Sequence, residues 1–455
     1  MSYKKQEIKK GINLHIIETN KFKTNLIAVF ITVPLLRETV TMETLIPAVL
    51  KRGTANLDSQ EKINIELENM YGAVFDCGVE KIGDNHVIKF YLEALNDNFV
   101  PNNDVGTNQC AEPEGHTGPS LQKQSIDLLL DIIFNPLVTN GKFNEDYVAA
   151  EKNNVKQLIE SKIDNKDYYA LNRCIEEMYK GKNYGLYKYG YVEDLEQINS
   201  RNLYDYYLKL RDTSKIDIFV SGDINADDVT EYVHVSALPE RAPEAIVNNE
   251  ETEEKDLGNV GTDQCVGPEG HTGPSLHSTP KIIEEKMDVG QGKLVIGLDV
   301  NLNEKDAKFP ISIYNVILGE SATSKLFQNV REKASLAYTI RSNYVRQKSN
   351  IYIRSGIEIE NYDKALKIIK EQLEEMKKGS FTKEDLSSAK AYMHSGIKAA
   401  VDEQDSEITY YIGQELSGTF TSFDEYIEKI DAVTMEDVKE VAGLIRINTI
   451  YFLRN

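Results

Sequence analysis

A chain of 455 residues is longer than one ordinary hydrophobic core can organise, so two domains are expected. Its composition, 41% hydrophobic and 27% charged, is that of a globular protein, and no apolar run approaches the roughly 18 residues of a membrane span. A net charge of −21 argues against nucleic acid as a partner, because neutralising phosphates needs a basic face, and it suits solubility or the handling of basic peptides.

From the N-terminus, Lys4 and Lys5 are followed by no apolar stretch, so no secretory signal is expected. Four cysteines are too few for a disulfide framework, which points to reduced thiols in the cytoplasm. Residues 11–18 and 25–34 are rich in β-branched residues and read as strands. Helical spacing follows at 41–52 and 58–70, then strands at 77–81 and 87–95. Helices are expected near 123–134, 143–162, 167–179 and 199–210, before a buried strand at 215–221. Paired strands followed by a run of helices make an α+β arrangement rather than βαβ alternation. Residues 241–280 are acidic and poor in core residues, with Glu250, Glu251, Glu253, Glu254 and Asp256, so they read as a linker. Beyond it come strands at 281–287 and 293–299, helical patterns at 307–318 and 322–333, strands at 337–346 and 349–358, helices at 361–377 and 382–399, and a last strand at 449–453. The same plan is repeated in the second half.

One segment occurs twice. Residues 105–121 read VGTNQCAEPEGHTGPSL and residues 260–276 read VGTDQCVGPEGHTGPSL, matching at fourteen of seventeen positions. The halves around them share no such identity, so a similar insert placed twice explains the pattern better than domain duplication. Both copies are rich in Gly and Pro and read as loops, where insertions are tolerated. Cys110 with His116, and Cys265 with His271, form two C-x5-H pairs near His277. That is not the spacing of a usual zinc module, and the near-identity of the copies already accounts for the shared residues. Cys77 and Cys174 lie in apolar patterns and read as buried thiols. His15, His86 and His394 show no ligand spacing, and there is no P-loop, dinucleotide fingerprint or G-x-S-x-G elbow.

The segment Met42 to Thr54, METLIPAVLKRGT, resembles the active-site helix of insulinase/pitrilysin-type metallopeptidases with its active site removed. In that family an inverted zinc motif, H-x-x-E-H, stands shortly before a basic residue and Gly-Thr. Counted back from Gly53-Thr54, the two His positions fall on Thr44 and Ala48, and the catalytic Glu falls on Pro47. A methyl group cannot bind zinc, and proline has no carboxylate to activate water. Pro47 is also expected to break the helix unless it lies in the first turn. The third ligand of active members is a Glu on a later helix; counted from Glu151 that position falls on Leu158, or on Gln157 with a one-residue slip. The resemblance is carried by the signatures around these losses: Gly185-Leu186 to Gly190, Val192 to Ile198, Asn202 to Tyr207, and the strand ending Ser221-Gly222-Asp223.

It is strongest from Leu318 to Tyr338. At this spacing the family carries an Arg and a Tyr that hold the substrate backbone and stabilise the oxyanion, and the matching positions here are Arg331 and Tyr338. A guanidinium and a phenol can both donate to a developing negative charge. Outside the inserts, then, nearly the whole chain is similar to the zinc-less partner of insulinase-type heterodimers. That implies two similar α+β domains, 1–240 and 281–455, each a mostly antiparallel sheet with helices packed on one face. It implies no cofactor in this chain, zinc in a paralogous partner subunit, and a peptide substrate. The competing reading is a non-catalytic structural or peptide-binding protein derived from the same fold; an intact Arg331/Tyr338 pair favours the catalytic partner.

Overall fold

The computed structural model describes residues 2–100, 120–235, 238–239, 279–301 and 308–455. The first half runs β1 (Ser2–Lys9), β2 (Ile12–Glu18), β3 (Thr24–Pro34), α1 (Val40–Leu50), α2 (Gln60–Asn69), β4 (Val74–Ile82), β5 (Asn85–Leu95), α3 (Leu121–Phe134), the short hairpin β6 (Val138–Thr139) and β7 (Lys142–Phe143), α4 (Glu145–Glu160), α5 (Lys166–Met178), α6 (Ser200–Thr213), β8 (Lys215–Gly222) and α7 (Ala226–Val235). The second runs β9 (Lys281–Lys286), β10 (Gly292–Val300), α8 (Lys308–Asn315), β11 (Ala337–Val345), β12 (Asn350–Ile357), α9 (Tyr362–Lys377), α10 (Lys383–Val401), α11 (Gln404–Ser417), α12 (Phe423–Ala432), α13 (Met435–Gly443) and β13 (Ile445–Arg454). The turns Val316–Glu320 and Phe327–Lys333 are π-helical. No described helix is long and apolar enough to cross a membrane.

Contacts group the chain into two compact units that do not follow the sequence strictly. Unit 1 comprises Met1–Ser161, Leu186–Val247 and Lys398–Phe420; unit 2 comprises Lys162–Gly185, Asn248–Ile397 and Thr421–Asn455. The unit 1 sheet has the order β1-β2-β8-β3-β5-β4, antiparallel except between β2 and β8. Alternate residues of its strands, Ile12, Leu14 and Ile16 on β2, Ile27, Val29 and Ile31 on β3, Ile216, Ile218 and Val220 on β8, face the apolar stripes of α1, α3 and α6. Each large side chain so buried contributes about 2 kcal/mol. The intervening residues, among them His15, Phe30 and Phe219, lie on the opposite face, where α11 packs on β8 and β3. There Tyr3 stacks on Tyr411 at 4.3 Å, and Lys5 and Lys215 both donate to Glu415 Oε1.

The unit 2 sheet has the described order β11-β12-β10-β13-β9, antiparallel except between β13 and β9. Leu294, Ile296, Ile353, Ile450 and Phe452 face α8, α9 and α13, while the alternate residues Val295, Tyr352, Tyr451 and Leu453 face Ala170, Cys174 and Ile175 of α5. Each unit is thus the expected mostly antiparallel sheet with helices on one face, with a single further helix on the other.

Three local expectations are revised. Pro47 lies inside α1, not in its first turn, and the helix continues to Leu50. It is buried with Leu45, Ile46, Val49 and Leu50, so tertiary packing overrides the missing N–H. The first insert also ends later in the structure than a loop should: Ser120 caps α3, its hydroxyl accepting from Lys123 N at 3.1 Å, and Leu121 begins the helix, buried, its N–H donating to Asp97 Oδ1. Residues 105–119 of that copy, the second copy and most of the linker lie outside the described residues, with Cys110, His116, Cys265, His271 and His277. Finally, β1, the β6–β7 hairpin, α7 and α11 to α13 are elements that the sequence pattern did not reveal.

Candidate functional site

Helix α1, which sequence counting sets against the zinc helix, is fastened at both ends in unit 1. At its N-terminal end Thr41 Oγ1 donates to Asp194 Oδ2 at 2.5 Å and accepts from Tyr191 N at 3.0 Å. Arg37 pairs with the same Asp194 carboxylate and lies over the Tyr191 ring. Gly190 has φ +78, and a Cβ there would meet Thr41 Oγ1 at 2.1 Å, so only glycine lets this loop approach α1 so closely. At the other end Arg52 Nε donates to Glu151 Oε1 of α4 at 2.5 Å and its Nη1 to Gln60 Oε1 at 3.3 Å. The second Glu151 oxygen accepts from Asn154 at 3.1 Å.

None of the positions counted against the zinc ligands carries a side chain suited to zinc. The Thr44 hydroxyl is directed at backbone, donating to Val40 O at 3.0 Å with Lys188 O at 3.2 Å. The Pro47 carbonyl accepts from Lys51 N and lies 3.4 Å from Cys77 Sγ. Ala48 is half-buried and supplies only a methyl, and Leu158 on α4 is 40% exposed. Among the described residues no group of three or more His, Cys, Asp or Glu side chains could hold a metal ion. A carboxylate does stand on α1, but one residue before the motif. Glu43 is buried, its Oε2 lies 2.5 Å from His86 Nδ1 on β5, and its Oε1 accepts from Tyr206 on α6 at 2.6 Å. This network fastens α1 to sheet and helix, and its carboxylate is fully engaged. Sequence reading passed over it, although a lone acid in an otherwise apolar helix was the available signal. Cys174 is buried as expected, whereas Cys77 is only half-buried; burial pushes both thiols up to about 12.

In unit 2, Arg331 lies on the π-helical turn Phe327–Lys333, its side chain 44% exposed, over the Phe327 ring at 4.7 Å and 3.6 Å from Glu332 Oε1. A tight turn follows, with Ser335 at φ 53 and Leu336 N bonding back to Val330 O at 3.0 Å. Tyr338 then falls at a break in the β11–β12 ladder: Ala337 pairs with Ile357 and Thr339 with Gly356, leaving Tyr338 as the extra residue of a bulge. It is 79% exposed. Bulges re-aim side chains, and π-turns are frequent at functional sites.

Residues 197–393 match the family described as the peptidase M16 inactive domain. Over 98% of its length the chain is also 30% identical to the probable inactive metalloprotease YmfF of Bacillus subtilis, covering 96% of that protein. The chain belongs to the M16, or insulinase-type, peptidase family. Within M16 it stands with the inactive members, which agrees with the side chains of Thr44, Pro47 and Ala48 on α1, none of which suits zinc. A conserved protein from Enterococcus faecalis V583 superposes with a TM-score of 0.81 at 25% identity, covering 100% of this chain and 98% of that one. The peptidase M16 inactive domain from Pseudomonas fluorescens gives 0.72 at 16% identity, with 100% and 98% covered, a likeness of fold.

Proposed function

We propose that this M16 chain is the zinc-less half of a peptidase pair. A zinc-bearing paralogue supplies the metal and the general base, and this chain supplies Arg331 and Tyr338 as donors to the peptide backbone and its oxyanion. The observation that carries the reading is the bulge at Tyr338, which turns a phenol into solvent directly after a π-turn that exposes a guanidinium. A scaffold has no use for two unburied donors at this spacing, whereas oxyanion stabilisation needs them. Residence in the cytoplasm belongs to the same reading.

The test is reconstitution. Alone, the purified chain should carry no stoichiometric zinc by metal analysis and cleave no peptide. Mixed with a zinc-bearing paralogue it should form a complex with peptidase activity. Arg331→Ala or Tyr338→Phe should lower turnover by about 100- to 1,000-fold while the complex elutes unchanged in gel filtration. Full turnover in both variants would refute the donor role and leave the structural reading in its place.

A further inference from the structure

Strands β11 and β12 place two arginines directly opposite each other, Arg341 against Arg354. Both lie on the face of the unit 2 sheet that α5 packs against, since Tyr352, two residues before Arg354, is buried against Ala170 and Cys174. The cover of α5 extends over β10, β12 and β13. On β11, the end strand of the described sheet, Thr339, Arg341 and Asn343 of this face remain exposed.

Like charges directly opposite on paired strands are destabilising and need compensation. Here it is incomplete. Among the described residues Asp167, in the first turn of α5, is the one carboxylate within ion-pair reach of either guanidinium. It accepts a long hydrogen bond from Arg354 Nη1 at 3.5 Å and lies 4.0 Å from Arg341 Nη2, at the limit of ion-pair reach. Arg354 is 13% exposed, donates from Nη2 to Asn343 Oδ1 at 2.9 Å, and keeps a buried Nε without an acceptor. Burial, and then the charge of Arg341, lower its pKa. Arg341 is 58% exposed and makes no hydrogen bond among the described residues. Asp167 also lines a shallow hollow of about 590 Å³ with Asp164, Asn165, Lys166 and Lys293. Four cations therefore stand near two carboxylates, a local positive excess on a chain whose net charge is −21.

We propose that Arg341 and Arg354 form a carboxylate-binding site for an extended peptide, taking an acidic side chain or the peptide's C-terminus. Two planar forks side by side match the geometry of a carboxylate, and an end strand suits an extended ligand running beside it. That the ligand is a peptide rests on the function proposed above. The preference for a carboxylate rests on the arginine pair alone.

The experiment uses the full chain without any partner, at about physiological ionic strength so that remote charges are screened. Fluorescence anisotropy compares three short labelled peptides: alternating Glu and Ala with an amidated end, its Gln counterpart with an amidated end, and the Gln peptide with a free C-terminus. At least one carboxylate peptide should bind about tenfold or more tighter than the amidated Gln peptide, as expected for charge-assisted hydrogen bonds. Preference for the Glu peptide assigns the site to an acidic side chain, and preference for the free Gln peptide assigns it to the terminus. Arg341→Gln, at an exposed position that folding tolerates, and Arg354→Gln should erase the preference and leave the amidated Gln peptide unaffected. Asp167→Asn should strengthen carboxylate binding by removing the internal competitor, a gain that a purely structural role would not produce. Equal or absent binding of the three peptides, or a preference that survives Arg341→Gln, overturns the site. Because no partner is present, failure to reconstitute a peptidase leaves this result standing, and loss of the preference leaves the pairing untouched.

Discussion

Helix α11 carries a buried and a half-buried carboxylate in opposite electrostatic situations, and Glu407→Gln isolates the unfavourable one. Glu407 is 0% exposed and both its oxygens are buried without a hydrogen-bond partner. Burial, only partly opposed by Lys21, raises its pKa from an ordinary 4.5 to about 7. Eight residues on, Glu415 is also pushed up by burial, but hydrogen bonds from Lys215 and Lys5 outweigh it and hold the carboxyl at about 2. For Glu407 the folded state keeps a proton that the unfolded chain has released. Its stabilising effect is therefore complete below pH 4.5, declines as pH rises, and is gone once pH passes about 7. The displacement corresponds to about 2–3 kcal/mol. Glutamine has the shape of the protonated acid and never ionises. Glu407→Gln should thus match the wild type near pH 4.5 and be more stable by about 2–3 kcal/mol at pH 8, about 4 °C or more in thermal midpoint. Melting curves of both proteins from pH 4.5 to 8 measure the difference directly, and other titrating groups cancel in it. An equal midpoint at pH 8, or a difference that does not grow with pH, would refute the reasoning.

Glu151→Ala leaves the Arg52 guanidinium without its buried partner and should destabilise unit 1 by about 3 kcal/mol in urea unfolding; a midpoint within error of the wild type would mean that α1 and α4 are not held by this pair. Ser120→Ala should cost about 1 kcal/mol through the lost α3 cap and Leu121→Ala about 2–3 kcal/mol through lost burial, both read from thermal melts. If neither variant shifts the melt, the end of the first insert is not part of α3.

The residue types at the positions counted against a zinc helix were legible because they are local. Thr44, Pro47, Ala48 and Leu158 follow from counting against Gly53-Thr54 and Glu151, and a residue type that cannot ligate a metal cannot do so in any fold. Most strands and long helices were legible too, since alternation and helical spacing reflect burial of one face. The α11–α13 region was not, and neither was α7. Unit 1 α11 shows why: it places Tyr411 and the buried acid Glu407 against a sheet formed by residues about 200 to 400 positions away, so its buried face is not simply apolar.

By itself the sequence determined the family, the α+β plan and the residue types at the positions counted against zinc ligands, because those depend on residue type and local periodicity. Only the tertiary structure decided the rest. It kept α1 helical through Pro47, because burial on several sides outweighs one missing hydrogen bond. It joined Glu43, His86 and Tyr206 from three distant elements. It sent α5 to the second sheet and α11 to the first, and it set Arg341 across from Arg354. Strand register, bulges and the choice of which helix covers which face are fixed by contacts distant in sequence, and no local pattern encodes them.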